Sequence, residues 1–165
     1  MADNLAIINR TIEEHHTLRG HTKLVGDSMN DLEALFSLQK ARPDWILSSP
    51  ETLSEKQVKL QQTISALDEG LKNHFGFEER LLPPLFGELL IQALILEHRE
   101  IKKQIDEAKS LLVNTNLAGL KQKELLSQKA QIQQKVESIL LLVEEHAGRE
   151  ETILKMLKKA LEAKK

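Results

Sequence analysis

Four histidines and two glutamates of this chain stand where apolar side chains are expected. His15, His74, His98 and His146 each fall on the seam of a segment whose apolar residues recur every three to four positions. Glu78 and Glu150 follow His74 and His146 by four residues, which sets histidine and carboxylate on one helix face, one turn apart. An ionisable group in a helical core is costly unless it is paired or bound to a metal. Imidazole nitrogens and carboxylate oxygens without sulfur suit iron, manganese or zinc rather than a soft metal. The chain has no cysteine, so disulfides, thiol catalysis and thiolate ligation are excluded. Two glutamates that each reach two ions, with two histidines per ion, would form a dinuclear site with ions ~3.5–4 Å apart. Sites of that composition are built in the cores of helix bundles.

The six groups are arranged as an internal repeat. Glu14-His15-His16-Thr17-Leu18 and Glu97-His98-Arg99-Glu100-Ile101 share E-H-x-x-[L/I]. His74-Phe75-Gly76-Phe77-Glu78-Glu79 and His146-Ala147-Gly148-Arg149-Glu150-Glu151 share H-x-G-x-E-E. Two copies of one helical hairpin, each giving two histidines and one glutamate, predict a site with pseudo-twofold symmetry. Gly76 and Gly148 each cost ~1 kcal/mol of helix propensity against alanine, and their matched places suggest that room is needed beside the ligands. His16 and His21 lie off the seam and read as surface residues. Glu79 and Glu151 sit one step off it, as solvated groups or as outer partners of the ligands. Phe75, Phe77 and Phe86 are expected to pack around the site and limit water.

These residues need long helices to position them, and the punctuation of the chain provides four. The segments run over about 4–40, 50–82, 85–113 and 120–160. The first seam reads Ile8, Ile12, His15, Leu18, Thr22, Val25, Met29, Leu32, Phe36. The second reads Leu60, Ile64, Leu67, Leu71, His74, Glu78, Leu81, and the third Ile91, Leu94, His98, Ile101, Ile105, Ala108, Leu112. The fourth reads Leu125, Lys129, Ile132, Val136, Ile139, Val143, His146, Glu150, Ile153, Leu157. Ser49-Pro50 signals a helix start, Pro83-Pro84 a stop, and Asn114-Thr115-Asn116 with Gly119 a further break. No run alternates as a strand. The fold class is therefore all-α, an up-down-up-down antiparallel four-helix bundle forming a single domain over 1–165. At a rise of about 1.5 Å per residue, all four histidines then fall roughly 12–20 Å from one end. The connection over 41–49 is long, and Trp45 in it is expected to cap one end of the core. The fourth segment is longer before its histidine than the third is after its own, so either it overhangs or part of 112–126 is more than a loop.

Composition narrows the function classes. A chain of 165 residues favours one domain that buries roughly 70% of its unfolded surface. With 23 basic residues against 25 acidic, the net charge of −2 argues against a nucleic-acid binder or an anionic-membrane binder. The N-terminus lacks the basic-then-apolar pattern of a leader, and no run nears the ~20 apolar residues of a membrane span, so a cytoplasmic protein is expected. Tyrosine is absent, which removes the residue on which radical-generating oxidases depend.

The motifs, one per helix and in this order, resemble those of the hemerythrin-like superfamily, specifically HHE cation-binding domains. The matching elements are E-H-x-x-L in helix one, H-x-x-x-E-E-x-x-L-x-P ending in the Pro83-Pro84 pair, E-H-x-x-I in helix three and H-x-x-x-E-E in helix four. The resemblance implies two iron ions bridged by two carboxylates and an oxo or hydroxo group, with manganese or zinc as alternatives. By that analogy His15 and His74 bind one ion, His98 and His146 the other, and Glu78 and Glu150 bridge. Oxygen-carrying hemerythrins have a second histidine four residues after the first in helix three, where this chain has Lys102. Their bridging aspartate lies five residues after the helix-four histidine, where this chain has Glu151. One histidine fewer implies a less saturated iron, which disfavours reversible O2 storage.

Three functions compete. The first is a di-iron binding module that binds or senses O2, iron or nitric oxide; lacking a fused output domain, a sensor would need a protein partner. The second is a redox enzyme acting on peroxide, O2 or nitric oxide at the same centre. The third is an interaction bundle in which metal only supports the fold. The basic tail of Lys155, Lys158, Lys159, Lys164 and Lys165 reads as a solvated helix end.

Overall fold

Seam periodicity becomes helix throughout the computed structural model, which describes residues 3–41 and 50–164. The described residues contain no strand. Helix α1 spans Asn4–Ala41, α2 Pro50–Leu81, α3 Pro83–Phe86, α4 Glu88–Asn114 and α5 Gln122–Ala163, with a 3-10 turn at Leu117–Gly119. Trp45 and the 42–49 connection lie outside the described residues.

Two of the helix ends follow from proline. Pro50 opens α2, where a missing N–H leaves no hydrogen bond unmade. Pro83 and Pro84 cannot continue α2, yet they suit the first positions of the one-turn α3. The expectation of one helix from Leu85 onward needs correction. Gly87 sits at φ +80, a backbone conformation that L side chains rarely adopt, and it separates α3 from α4.

The four long helices form a helical bundle in which α1 packs on α2 and α5, and α4 packs on the same two. Partners run in opposite sequence order along both contacts of α1. Glu14 meets His74 while Asp31 meets Lys56, and Arg19 meets Glu144 while Glu33 meets Lys129. Gly70 allows α2 close to α1, because a Cβ there would stand 3.3 Å from the His21 ring. All seven seam residues expected on the third segment are the buried residues of α4. On α5 the seam drifts by one position, so Leu154 rather than Ile153 is fully buried. A period of 3.6 outruns a 3.5 repeat over a helix of this length.

Two apolar clusters fill the bundle. The larger runs from Leu18 to Phe36 on α1, Leu53 to Phe75 on α2, Ile101 to Leu112 on α4 and Leu125 to Val143 on α5. The smaller joins Ile7, Ile8, Phe77, Leu82, Ile91, Leu94 and Leu154. In sequence, the seam histidines and glutamates of α1, α4 and α5 fall between the two, and on α2 His74 and Glu78 flank Phe75 of the larger and Phe77 of the smaller.

The stretch after α4 is more than a loop. Leu117, wholly buried, plugs the larger cluster. Gln57 holds it there: its amide donates to the Leu112 and Thr115 carbonyls at 2.7 and 2.5 Å and accepts from the Leu117 N–H at 3.2 Å. No helix among the described residues is long and apolar enough to cross a membrane.

Candidate metal centre

Each seam delivers its ionisable group to the interior. His15, His74, Glu78, His98, His146 and Glu150 are all buried, none more than 5% exposed. They fall into two sets whose ligand atoms lie within 4.8 Å of one another: His15, His74, Glu78 and Glu150, and Glu78, His98, His146 and Glu150. Both glutamates belong to both sets. The histidines pair off within them, with ring centroids 4.9 Å apart for His15 and His74 and 4.8 Å for His98 and His146.

The carboxylates divide their oxygens between the two pairs. Glu150 Oε1 lies 3.0 Å from His15 Nε2, and its Oε2 lies 2.9 Å from His146 Nε2. Glu78 Oε1 abuts His74 Nε2 and lies 3.6 Å from His15 Nε2, while its Oε2 lies 3.3 Å from His98 Nε2. Most of these approaches are not hydrogen bonds. The Nε2 atoms of His74, His98 and His146, both Glu78 oxygens and Glu150 Oε2 are buried without a hydrogen-bond partner. Each such atom costs about 1–3 kcal/mol if left unsatisfied. Crowded, unpaired nitrogen and oxygen donors fit a cation, which would satisfy them together.

Charge is distributed unevenly over the cluster. Burial pulls the His15 imidazole down, but hydrogen bonds with Glu150 and Glu78 outweigh it and hold its pKa up at about 9. His98 is pushed to about 3 by burial and by neighbouring His146. Burial and the nearby Glu150 charge lift Glu78 well above the carboxylate range, although His15 opposes them. Burial acts the same way on Glu150, yet His146 and His15 overcome it and hold this carboxylate ionised.

A second layer of carboxylates orients the rings. His15 Nδ1 donates to Glu151 Oε1 at 3.1 Å, His74 Nδ1 to Glu14 Oε1 at 3.1 Å, and His146 Nδ1 to Glu97 Oε2 at 2.8 Å. A carboxylate can only accept, so each of these imidazoles carries a proton on Nδ1; His74 and His146 then present an unpartnered Nε2 to the interior, whereas His15 Nε2 also donates to Glu150 Oε1 at 3.0 Å. Each carboxylate is in turn held by an arginine: Glu151 by Arg19 at 2.6 Å, Glu14 by Arg10 at 3.1 Å, Glu97 by Arg149 at 2.6 Å. Arg10 also lies over the Phe77 ring, 4.2 Å from its centroid.

Phe75 stacks on His98, with centroids 3.8 Å apart and planes 8° from parallel, and meets His146 edge-on. Phe77 and Phe86 belong to the smaller apolar cluster. His16 is exposed and His21 half-buried against Gly70, and neither joins the cluster. Open space surrounds the Cβ positions of Gly76 and Gly148, so neither glycine is required to make room for the histidines.

The family model for the hemerythrin HHE cation-binding domain matches residues 6–158. The chain belongs to the hemerythrin family. No curated protein and no solved structure gave a match. Hemerythrin HHE domains bind cations, and the two His/Glu sets are groups that could hold them. The geometry also explains why the family motif carries more than ligands. In E-H-x-x-[L/I] the glutamate before each histidine bonds the histidine of the neighbouring helix. In the E-E pair of helix four the second glutamate anchors His15. Glu14 and Glu97 were visible in the sequence only as letters of the motif, since their roles depend on which helices become neighbours.

Proposed function

We propose that this hemerythrin-family chain is a single-domain, up-down-up-down bundle holding a non-haem di-iron centre, and that it binds or senses O2, iron or nitric oxide there. The observation that carries this reading is the division of oxygens: Oε1 of both Glu78 and Glu150 faces the His15–His74 pair, and Oε2 of both faces His98 or His146. That is the arrangement two bridging carboxylates require. Iron held there would supply redox chemistry and exchangeable positions for a small ligand.

The protein's own residues do the rest. His15, His74, His98 and His146 offer ring nitrogens, three of them fixed by carboxylates on the opposite ring atom. Glu78 and Glu150 neutralise the added charge. Phe75 and the apolar clusters on either side keep bulk water away, which strengthens electrostatic interactions inside. A second reading, a redox enzyme acting on peroxide, O2 or nitric oxide, draws support from a groove between α2 and α4 that reaches His98.

The test is to load the protein anaerobically with ferrous iron and record the absorption spectrum before and after adding O2 or nitric oxide. A stoichiometric spectral change without turnover supports binding or sensing. Sustained consumption of peroxide or O2 with a reductant moves the assignment to the enzyme. An unchanged spectrum with all ligands contradicts both, and equal support of the fold by zinc and iron favours an interaction bundle.

A further inference from the structure

The pseudo-twofold repeat is broken at one place. Glu151 anchors His15, and the repeat equivalent of that pair is Glu79 with His98. Glu79 Oε2 stands 3.8 Å from His98 Nδ1, beyond hydrogen-bond reach, and the Glu79 side chain is 39% exposed. Both nitrogens of His98 are buried without a hydrogen-bond partner. Three histidines are held by a carboxylate and an arginine; His98 is held by its stack on Phe75.

The sequence explains the break. Four residues after His15 comes Arg19, which grips Glu144 and Glu151, seven residues apart on α5. Four residues after His98 comes Lys102, and the equivalents of Glu144 and Glu151 on α2 are Lys72 and Glu79. With Lys72 in place of an acid, Lys102 turns elsewhere. It bonds Asp68 at 3.0 Å and Asp106 at 3.0 Å, leaving Glu79 unclamped. A single ammonium also lacks the fork with which arginine spans two carboxylates.

The same place is open to solvent. A groove of about 1170 Å3 runs between α2 and α4, and Lys72, Phe75, Glu79, His98 and Lys102 line it. Gly76 belongs to its wall, with nothing near its Cβ position. The unanchored histidine therefore also lines a groove that opens to water.

Resting on the two-cation reading above, we propose that the two cation positions are unequal: the one completed by His98 is labile and exchanges through the α2–α4 groove, while the one completed by His15 and His74 is retained. Outer partners of metal-bound histidines are worth ~10–100-fold in affinity. A missing partner on one side makes that position the first to empty and the first to refill.

The experiment is anaerobic release of ferrous iron to excess ferrozine from the full chain, followed by absorbance. Wild type is expected to release two ions in two phases of equal amplitude, with rates ~10–100-fold apart. His98→Ala removes the fast phase and leaves one slowly released ion per chain. The double variant Lys72→Glu/Lys102→Arg rebuilds the Arg19-type clamp on Glu79 and slows the fast phase by ~10-fold or more. Gly76→Leu, which adds bulk at the wall of the groove, also slows the fast phase and spares the slow one. Two ions released in one phase overturn the inequality while leaving the two-ion reading intact. Fewer than two ions at saturation overturns both. Loss of the slow phase in His98→Ala reverses the assignment of positions, and an unaltered fast phase in the double variant overturns the missing clamp as the cause of the inequality. Wild-type kinetics decide the matter even if a variant fails to fold.

Discussion

Replacing the outer glutamates by glutamine isolates what the carboxylate charge contributes at the metal site. Glu151→Gln keeps the volume and an oxygen that can accept from His15 Nδ1, but it removes the charge held by Arg19 at 2.6 Å. Glu97→Gln does the same between Arg149 and His146, and Glu14→Gln between Arg10 and His74. Each imidazole then loses the polarisation that makes its Nε2 a strong donor. Each variant should bind cations ~10–100-fold more weakly, which is about 1.4–2.7 kcal/mol. Glu79→Gln is the internal comparison. Its carboxylate makes no hydrogen bond to His98, so an exposed ion pair worth less than about 1 kcal/mol is all that it can remove. The assay is competition for ferrous iron or zinc against a chelator of known affinity, with circular dichroism to check the helices. Unchanged affinity in Glu14→Gln, Glu97→Gln and Glu151→Gln would refute the orienting role of these carboxylates. So would a loss in Glu79→Gln as large as theirs.

Other consequences follow from residues away from the ligands. Leu117→Ala empties a wholly buried position at the plug and should cost about 2–5 kcal/mol in urea unfolding. Gln57→Ala leaves the Leu112 and Thr115 carbonyls and the Leu117 N–H without their partner, each worth about 1–3 kcal/mol, so it should destabilise at least as much as a single lost bond. Gly148→Ala should raise stability by about 1 kcal/mol, because its Cβ meets nothing; a loss would show that room is needed there after all. Burial raises the Asp68 pKa, but Lys109 and Lys102 outweigh it and hold it below 3.8. The unfolded chain therefore binds that proton more readily than the folded one, and stability from this group is full above 3.8 and lost as pH falls through the lowered value. The stability gap between wild type and Asp68→Asn should be constant near pH 6–7 and close as the solution is taken below pH 4, read by urea midpoints.

The helices and the inward-facing groups were legible because burial imposes a period on the sequence. Every seam residue of α4 was read from spacing alone, including His98. The six ionisable groups were readable because they interrupt that period in a repeated pattern, a histidine on two helices and a histidine with a glutamate four residues on in the other two. What spacing conceals is which helix lies beside which. Glu151 looked like a residue one step off the seam, and only the α1–α5 contact turns it toward His15. Leu117 carries no periodic signal, since a 3-10 turn of three residues is too short to have one. The break at Gly87 was hidden because apolar residues on both sides of it read as one helix from Leu85 onward. The paired glycines invited a functional reading, yet both face open space.

The central claim is that Glu78 and Glu150 join two cations in one centre. The most direct measurement is cations per chain in wild type, Glu78→Ala and Glu150→Ala, after anaerobic loading with ferrous iron and removal of free metal. Two per chain in wild type, falling toward one or none in either variant, is the expected result. Two per chain retained in both variants, with helicity unchanged, would contradict it.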